Sequence, residues 1–437
     1  MTPATRHRPP RSGAASDSTA PAPAFWRRVP WWPVVISILV LASMPAAVSP
    51  IRDSADFQAI PHVQLTLSPG YIALAPLSDI LDTMTLFSSR QHASFLATLL
   101  VLYVAVRGWR ARKRGTTLLH EIRAGLLSLL ALVLVYAAGA LLPRPMAALA
   151  VDAPFNSQIV VVDFHSHTSY SHDGRPGFGP EQNRAWHRNA GFDAAYVTDH
   201  RTMQGADEGM SANPAVAGQG TMLLPGLEAI WKGAHVNILS AGRVYKGLTD
   251  AALRDVDDQA LQLSSLVVSR APVLVFTFPG QLKDLHPVTG PGIAGERAIE
   301  LVDGSPRGLT QDRRQRNVIT AIADTLNMAP VAGSDNHGWG YTAAAWTLVP
   351  VPGWRGMSAD SLAMSIEQVI REQGFNGTQV IERRVANTSV NTWKLVLTVP
   401  LVTWRMMTTL SDSERVSWLL WTWAITVLAF AWRRRRA

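Results

Sequence analysis

Four long apolar stretches without charged residues stand out from the polar pattern of this chain. They cover residues 31–48, 94–106, 124–142 and 416–432. A membrane-spanning helix needs about 20 predominantly apolar residues, with a lower limit of about 17. The first and third stretches reach this length, and the second and fourth lie at its short end. Because no amphipathic segments surround the stretches to cover them, we predict four transmembrane helices and not four buried core helices.

Between the third and fourth stretches, seven short apolar runs alternate with polar, Gly/Pro-rich or helix-capable segments. The runs begin near residues 159, 196, 223, 235, 273, 298 and 330; residues 180–190 and 360–374 look helical, and residues 379–397 look strand-capable. Several runs end in a polar residue, which is where a parallel β/α barrel holds its chemistry. A doubly wound open sheet also binds ligands at strand ends. The pattern predicts an α/β fold with flanking transmembrane helices and leaves open whether the sheet closes.

Two histidines with a spacing of two follow the first of these runs. Residues i and i+2 of a strand point to the same face, so the imidazoles of His165 and His167 can reach one metal ion. Asp335 and His337 repeat this spacing after the seventh run. Either pair alone can arise by chance, but the two pairs together predict a metal site.

These motifs resemble the PHP superfamily, the phosphoesterase domain named for bacterial DNA polymerases and histidinol phosphatases. The family's pattern runs H-x-H with a following D-G, then T-D-H, G-x-E, a later His and G-S-D-x-H. Within residues 159–340, the matching positions are His165, His167, Asp173, His200, Glu228, His235, Asp335 and His337. The resemblance covers less than half of the chain. It implies a distorted seven-stranded β/α barrel in which these eight residues hold two or three divalent ions.

Two positions leave the ligand set open. The family commonly has His-Pro where this chain has Phe278 followed by Pro279, so we expect two ions, and a third only if His286 substitutes. Either His172 or Asp173 could face the metal. We favour Asp173 because the family's acid directly precedes the Gly.

Paired divalent ions suit hydrolysis, because they lower the pKa of a shared water and neutralise charge that develops on phosphoryl oxygens. The mixture of imidazoles and carboxylates is compatible with Zn, Mn or Fe. Glu228 is the best candidate to bridge two ions, and Asp199 can orient the imidazole of His200, so Glu228 and Asp199 are the candidate catalytic residues. We expect structural roles for Asp303, at a family position for a turn-forming Asn, and for His187, in a predicted helix.

The formal net charge of +8 is concentrated in three basic clusters. They precede the first apolar stretch, separate the second from the third, and follow the fourth at residues 433–436. By the positive-inside rule all three clusters lie in the cytoplasm, and four alternating spans then place the metal domain outside it. The positive charge therefore reflects topology and anionic lipid headgroups, and we expect no nucleic-acid partner.

These patterns divide the chain into four parts. We expect a disordered cytoplasmic tail over residues 1–30, a membrane region with three transmembrane helices over 31–150, a PHP-like hydrolase domain over 151–400, and a C-terminal transmembrane helix with a basic tail over 401–437. The length of the first stretch favours a retained anchor, although small residues near its end leave cleavage open. The absence of Cys among the 437 residues excludes disulfides and thiolate metal sites.

Two functions from different classes remain. The first is a membrane-anchored, divalent-metal-dependent hydrolase. Phosphoesters are its favoured substrate class, and the substrate is a small-molecule or lipid-linked phosphoester outside the cytoplasm. The second is a metal-stabilised binding or sensing domain without turnover, which Phe278 supports. The nearly complete ligand set favours the hydrolase.

Overall fold

The computed structural model describes residues 30–115, 117–231, 234–239, 272–277, 296–385 and 392–436. The sequence predictions for residues 1–29, Phe278 and His286 lie outside the described residues. Apolar helices at both ends of the chain flank a mixed β-sheet with further helices packed on it. In chain order the helices are α1 (Trp31–Ser43), α2 (Pro69–Ala73), α3 (Ala75–Thr85), α4 (Ser89–Arg114), α5 (Leu118–Leu141), α6 (Pro180–Ala190), α7 (Gln204–Ser211), α8 (Arg313–Thr325), α9 (Ala359–Gln373), α10 (Thr392–Val396), α11 (Thr398–Thr409) and α12 (Asp412–Arg436).

Three helices are long and apolar enough to cross a membrane. The segments are Ser89–Lys113 of α4, Leu119–Leu141 of α5 and Asp412–Arg435 of α12, and their most apolar windows are 0%, 6% and 28% buried. The helical segment Trp31–Ala46 is too short to count among them. The described chain therefore has three helices of membrane-spanning length, whereas the sequence predicted four. The α-helical part of this segment ends at Ser43 because Pro45 lacks the N–H that would continue the helix.

The described residues form twelve strands, ten of which make one sheet. The strands are β1 (Ile51–Asp53), β2 (Val63–Leu67), β3 (Ala147–Val151), β4 (Ile159–Ser166), β5 (Ala194–Val197), β6 (Met222–Trp231), β7 (Ala234–Leu239), β8 (Leu274–Phe276), β9 (Glu296–Asp303), β10 (Ala329–Gly333), β11 (Ala345–Pro350) and β12 (Gln379–Arg383). The sheet order is β1-β12-β11-β4-β5-β6-β7-β8-β9-β10, and β2 pairs separately with β3.

The α/β class is confirmed, but the count of seven strands is not. The strands β4 to β10 correspond to the seven apolar runs, and β11, β12 and β1 extend the sheet on the other side by antiparallel pairing. Nor is the sheet wholly parallel, because β7 pairs antiparallel with both β6 and β8. Only two residues separate β6 from β7, which is enough for a hairpin and far too few for a parallel crossover.

The sheet curls until its last strand, β10, approaches β4. The N–H of Asp335 donates to the carbonyl of His165 at 2.9 Å, and the N–H of His167 donates to the carbonyl of Asn336 at 3.0 Å. These bonds lie where β4 and β10 end. The curl therefore brings the two motifs that are most distant in sequence into direct contact.

Both faces of the curled sheet are buried. Val160, Val162 and Phe164 of β4 alternate onto one face, where they share a core with Leu362 and Ile366 of α9. The opposite face has its own core, to which α8 contributes. Double-sided burial explains why these strands appear in the sequence as continuous apolar runs.

A buried charge network joins the N-terminal helices to the sheet. Asp82 of α3 pairs with Arg144 at 3.0 Å and with Arg383 of β12 at 3.3 Å, and the hydroxyl of Thr342 donates to it at 2.8 Å. In addition, β1 pairs with β12 although it precedes the predicted boundary at residue 151. The sheet thus contains a strand from the region that was predicted to be membrane-embedded.

Candidate metal centre

The structure brings all eight family-matched residues together. They lie at or after the ends of β4, β5 and β10 and on the β6–β7 hairpin. Their nitrogen and carboxylate oxygen atoms form four overlapping groups, and within each group the atoms lie within 4.8 Å of one another. The groups are His165, His167 and Glu228; His167, Asp335 and His337; His167, Asp173 and His200; and His200, Glu228 and His235.

Four of these residues form what we term the first donor set: His165, His167, Glu228 and Asp335. The two Nε2 atoms are 3.0 Å apart, lie 3.0 and 3.1 Å from Glu228 Oε2, and each lie 3.4 Å from Asp335 Oδ1. Bonds of about 2.1 Å to a tetrahedral ion place ligand atoms about 3.4 Å apart. The first donor set is therefore spaced like the ligands of a single ion.

The second ring nitrogen of His165 determines where its lone pair points. His165 Nδ1 is 3.3 Å from Oε1 of Glu300, a residue of β9 that is only 1% exposed. A proton on Nδ1 that is donated to Glu300 leaves the lone pair on Nε2, directed at the first donor set. Metal-binding imidazoles are commonly held in this way by a carboxylate behind the ring.

This close approach of β9 to β4 depends on a glycine. A Cβ at Gly333 would lie 1.8 Å from Glu300 Oε1 and 2.5 Å from His165 Cβ. Two residues later, Asp335 has a φ of 47°, a left-handed conformation that Asp tolerates better than most residues. Gly333 is thus required because there is no space for a side chain, and Asp335 is favoured because its backbone is left-handed.

The β6–β7 hairpin supplies a carboxylate that faces several imidazoles. Glu228 lies opposite Asn237, so His235, two residues along, shares its face. Glu228 Oε1 is 2.5 Å from His235 Nδ1, whereas Oε2 is 3.4 Å from His200 Nε2 and belongs to the first donor set. The two oxygens of Glu228 therefore face different imidazoles, which suits a bridging carboxylate.

A further group lies at the more open side of the centre. Asp173 Oδ2 is 3.1 Å from His337 Nε2 and 3.7 Å from His200 Nε2. Of the two alternatives, Asp173 belongs to a group in the described chain, while the side chain of His172 is 68% exposed and belongs to none. Burial and the neighbouring histidines His167 and His235 lower the pKa of His200 to about 4, which keeps its imidazole neutral for ligation.

Burial and the nearby carboxylates together shift the pKa values of the centre. Burial alone would lower the pKa of His165, but Glu228 and Asp335 raise it well above its usual value. Burial also raises the pKa of Glu300 and of Asp303. A divalent cation would compensate the charge of the carboxylates that face these imidazoles, so the donor set suits divalent metal ions.

The candidate catalytic residue Asp199 lies outside the four groups. It is 1% exposed, and its two oxygens accept hydrogen bonds of 2.6 Å each from the N–H and the hydroxyl of Thr168. Asp199 therefore holds the chain directly after His167.

Two buried acids, Glu300 and Asp163, were not identified from the sequence. Asp163 precedes His165 by two residues in β4 and pairs with His187 at 2.7 Å. His187 is fully buried in α6, which agrees with the structural role expected of it. Asp303 also has a structural contact, because it accepts a hydrogen bond of 2.7 Å from the N–H of Ser305 in the turn that follows β9. Both acids lie inside apolar runs of the sequence. This position could have identified them, because a buried carboxylate needs a hydrogen-bond or ionic partner.

Known proteins that resemble this chain do so at low sequence identity. No family model matches the chain, and no curated protein matches it. Among solved structures, PsfC from Pseudomonas syringae is 19% identical, with a TM-score of 0.34 over 57% of this chain and 98% of that one. A two-domain protein from Bacteroides vulgatus that contains a predicted PHP-like metal-dependent phosphoesterase is 14% identical, with a TM-score of 0.34 over 52% and 66%. Similarity to PHP-like proteins, which the motifs predicted, is thus confirmed.

One sequence expectation is corrected by these similarities. Endonuclease Q from Pyrococcus furiosus is 12% identical, with a TM-score of 0.32 over 48% of this chain and 56% of that one. An endonuclease Q is also solved in complex with a 27-mer duplex that has an abasic lesion at the active site. The exclusion of nucleic acid was therefore wrong, since the basic charge on which it was argued does not bear on what the metal centre binds.

Proposed function

We propose that this chain is a membrane-anchored hydrolase that uses divalent metal ions to cleave a phosphoester outside the cytoplasm. The observation that carries the proposal is the convergence of the first donor set at separations of 3.0–3.4 Å. Burying two carboxylates with two imidazoles costs stability unless the charges are compensated. A bound metal ion would compensate the charges of the carboxylates and would explain why the cluster is buried.

The geometry supports two ions. The first donor set would hold one ion, and Asp173, His200 and His337 would hold a second. Glu228, which lies close to His200 and to His235 as well as to the first donor set, would contribute to both. Zn, Mn and Fe all suit such a mixture of imidazole and carboxylate ligands. When bound, the ions would supply a water of lowered pKa and neutralise charge on phosphoryl oxygens.

Residues behind the ligands would keep them in position. Glu300 would retain the proton on His165 Nδ1, and Asp199 would fix the chain after His167 through Thr168. Both are positioning residues in this assignment. Glu228, which faces both ion sites, is the residue that would touch the reacting atoms.

Contacts between the helices and the sheet support the membrane side of the proposal. Ser89, at the start of α4, bonds to Pro306 at 3.0 Å, and Ala140, near the end of α5, bonds to Gly340 at 2.9 Å. Five of the six Arg and Lys residues of α4 lie at its other end, and four of the five in α12 lie at its C-terminus. The positive-inside rule then puts these basic ends in the cytoplasm and the metal centre on the opposite side.

The direct test removes both histidines of the first donor set. The variant with His165→Ala and His167→Ala should lose bound metal and hydrolysis of bis(4-nitrophenyl) phosphate together, as measured by elemental analysis and absorbance. The matched control, His62→Ala with His120→Ala, removes two histidines outside the four groups and should retain both properties. Undiminished metal in the first variant would refute the assignment, and metal without hydrolysis in the unaltered protein would favour a binding or sensing domain.

A further inference from the structure

A cavity of about 440 Å³ adjoins the metal centre and reaches the N-terminal helices. Asp173, Asp335 and His337 line one side of it, and Met84 of α3 and Gly139 of α5 line another. Its volume lies in the range of about 300–1,000 Å³ that is typical of small-molecule sites. The proposed ion sites therefore share one cavity with helices of the membrane region.

Backbone hydrogen bonds fix the two transmembrane-type helices at the rim of this cavity. The N–H of Ser89 in α4 donates to the carbonyl of Pro306 at 3.0 Å, and the N–H of Gly340 donates to the carbonyl of Ala140 in α5 at 2.9 Å. Pro306, Gly340 and Ala140 all line the cavity. The indole of Trp186 also donates to the carbonyl of Gly340, at 3.2 Å. The helices are thus a built wall of the cavity.

The wall formed by the helices is largely apolar. It includes Leu81 and Met84 of α3 and Ala140 of α5. Its polar groups include the hydroxyl of Tyr136, which is buried and has no hydrogen-bond partner in the described chain. A tyrosine hydroxyl can both donate and accept, so Tyr136 is available to a ligand group.

The apolar wall continues into surface suited to lipid. The most apolar windows of α4 and α5 are 0% and 6% buried. Next to Ala140, Leu141 is 38% exposed and Leu142 is 61% exposed. A long apolar chain could pass from the cavity onto this surface without meeting a charged side chain of α5.

We propose that the substrate is an amphiphile, whose ester group lies at the metal centre and whose aliphatic chain occupies the cavity between α3 and α5. This inference rests on the proposed hydrolase function. An aliphatic chain would cover the surface that Leu81, Met84 and Ala140 still expose to the cavity, which a wholly polar substrate would leave in contact with water. The ester would then approach the ions from the side lined by Asp173 and His337.

The test uses the full chain in lipid vesicles with Mn²⁺ or Zn²⁺. Its substrates are 4-nitrophenyl phosphodiesters whose second alcohol is methanol, hexanol or dodecanol. We expect kcat/KM to rise with chain length, mainly through KM. A second readout is independent of turnover: dodecyl phosphate with a diazirine near the end of the chain should cross-link to α3 and α5, as mapped by mass spectrometry.

A pair of matched variants locates the effect. A Cβ at Gly139 would lie 3.2 Å from Leu81 Cδ2, whereas a Cβ at Gly108 of α4 would have no atom within 4 Å. Gly139→Leu should fill the cavity and lower kcat/KM for the dodecyl ester by about tenfold or more, the loss expected from a few unburied methylenes. Methyl ester hydrolysis should persist. Gly108→Leu should change neither rate nor cross-linking.

If Gly139→Leu does not fold, Tyr136→Phe tests the same cavity by removing only the hydroxyl, which should weaken cross-linking of the alkyl phosphate and leave metal content unchanged. Hydrolysis that is independent of chain length, or faster on an abasic-site DNA duplex than on the dodecyl ester, would overturn the amphiphile and leave the hydrolase standing. Cross-links at α3 and α5 with no ester cleaved would support the cavity and refute the hydrolase.

Discussion

Single residues of the metal centre act by fixing the protonation and position of their neighbours. Within the first donor set, Glu300 is hydrogen-bonded to His165, and this bond determines which ring nitrogen of His165 faces Glu228 and Asp335. Gly333 contributes no side chain, yet it allows Glu300 and His165 to approach each other. Both residues therefore offer substitutions that leave every proposed ligand in place.

Replacing Glu300 by glutamine should weaken metal binding by about 10–100-fold, the usual effect of losing a partner behind a ligand. The amide lacks the charge that favours a proton on His165 Nδ1. Metal titration of the purified protein measures the change. Glu372→Gln, on the exposed side of α9, is the control and should bind metal like the unaltered chain; equal affinities in both variants would remove Glu300 from the site.

Replacing Gly333 by alanine should destabilise the protein by about 1–3 kcal/mol, because the new methyl group overpacks a buried site. The free energy of unfolding and the metal content should fall together. Gly108→Ala is the control, since its methyl group meets no atom within 4 Å and helix propensity favours Ala by about 1 kcal/mol. A stable, metal-replete Gly333→Ala variant would contradict the close packing described for this residue.

The sequence predicted the residues that come in spaced motifs and missed those that come alone. His165, His167, Asp335 and His337 were found because a spacing of two has a geometric meaning on a strand. Glu300 was missed because its partner lies 135 positions away, and no local pattern connects the two. Isolated buried acids become interpretable only when the sheet order is known.

At the scale of secondary structure elements, α3 joins the apolar helices to the sheet through buried carboxylates. Asp79 accepts a hydrogen bond from the indole of Trp418 in α12 at 2.7 Å and another from Tyr71 at 3.1 Å. Burial and the nearby charges of Glu414 and Asp82 raise the pKa of Asp79 to about 8. The folded chain therefore keeps a proton on Asp79 at neutral pH that the unfolded chain releases.

This difference predicts how stability depends on pH. Since the folded pKa is raised, the contribution of Asp79 is fully present below the unfolded pKa of about 3.8 and is lost as pH rises through about 8. Raising the pH from 6 to 9 should lower the Tm of the unaltered chain more than that of Asp79→Asn, which cannot ionise. Asp56→Asn, at an exposed residue, should retain the full decrease; identical pH profiles for all three proteins would show that Asp79 is ionised when folded.

Element boundaries were predicted best where a local signal marks them. The helix expected at residues 360–374 is α9, and the one expected at 180–190 is α6. The helix that contains the second apolar stretch begins before the stretch itself, because Ser88 and Gln91 form a capping box that starts α4 at Ser89. The pairing of β11, β12 and β1 had no such signal, since it depends on which strands meet at the edge of the sheet.

At the scale of the whole molecule, the basic ends of the helices predict the orientation in the membrane. A reporter that is active only in the cytoplasm should be silent when fused after Gly340 and active when fused after Arg436. A third fusion, after Gly115 between α4 and α5, should also be active, because it lies at the basic end of both helices. The reverse pattern would place the metal centre in the cytoplasm.

The pairing of β1 with β12 also has a consequence for the order of events during synthesis. Arg52 and Glu382, which form an ion pair across these strands, are 330 positions apart. During synthesis β1 leaves the ribosome before the other strands, but it cannot pair until β12 has been made. Contacts between residues so far apart in sequence form slowly. A nascent chain that stops before β12 would present the unpaired edges of β1 and β11, which invite association with other chains. Completion of the sheet is therefore a late step, and chaperones would be needed most during the interval before it.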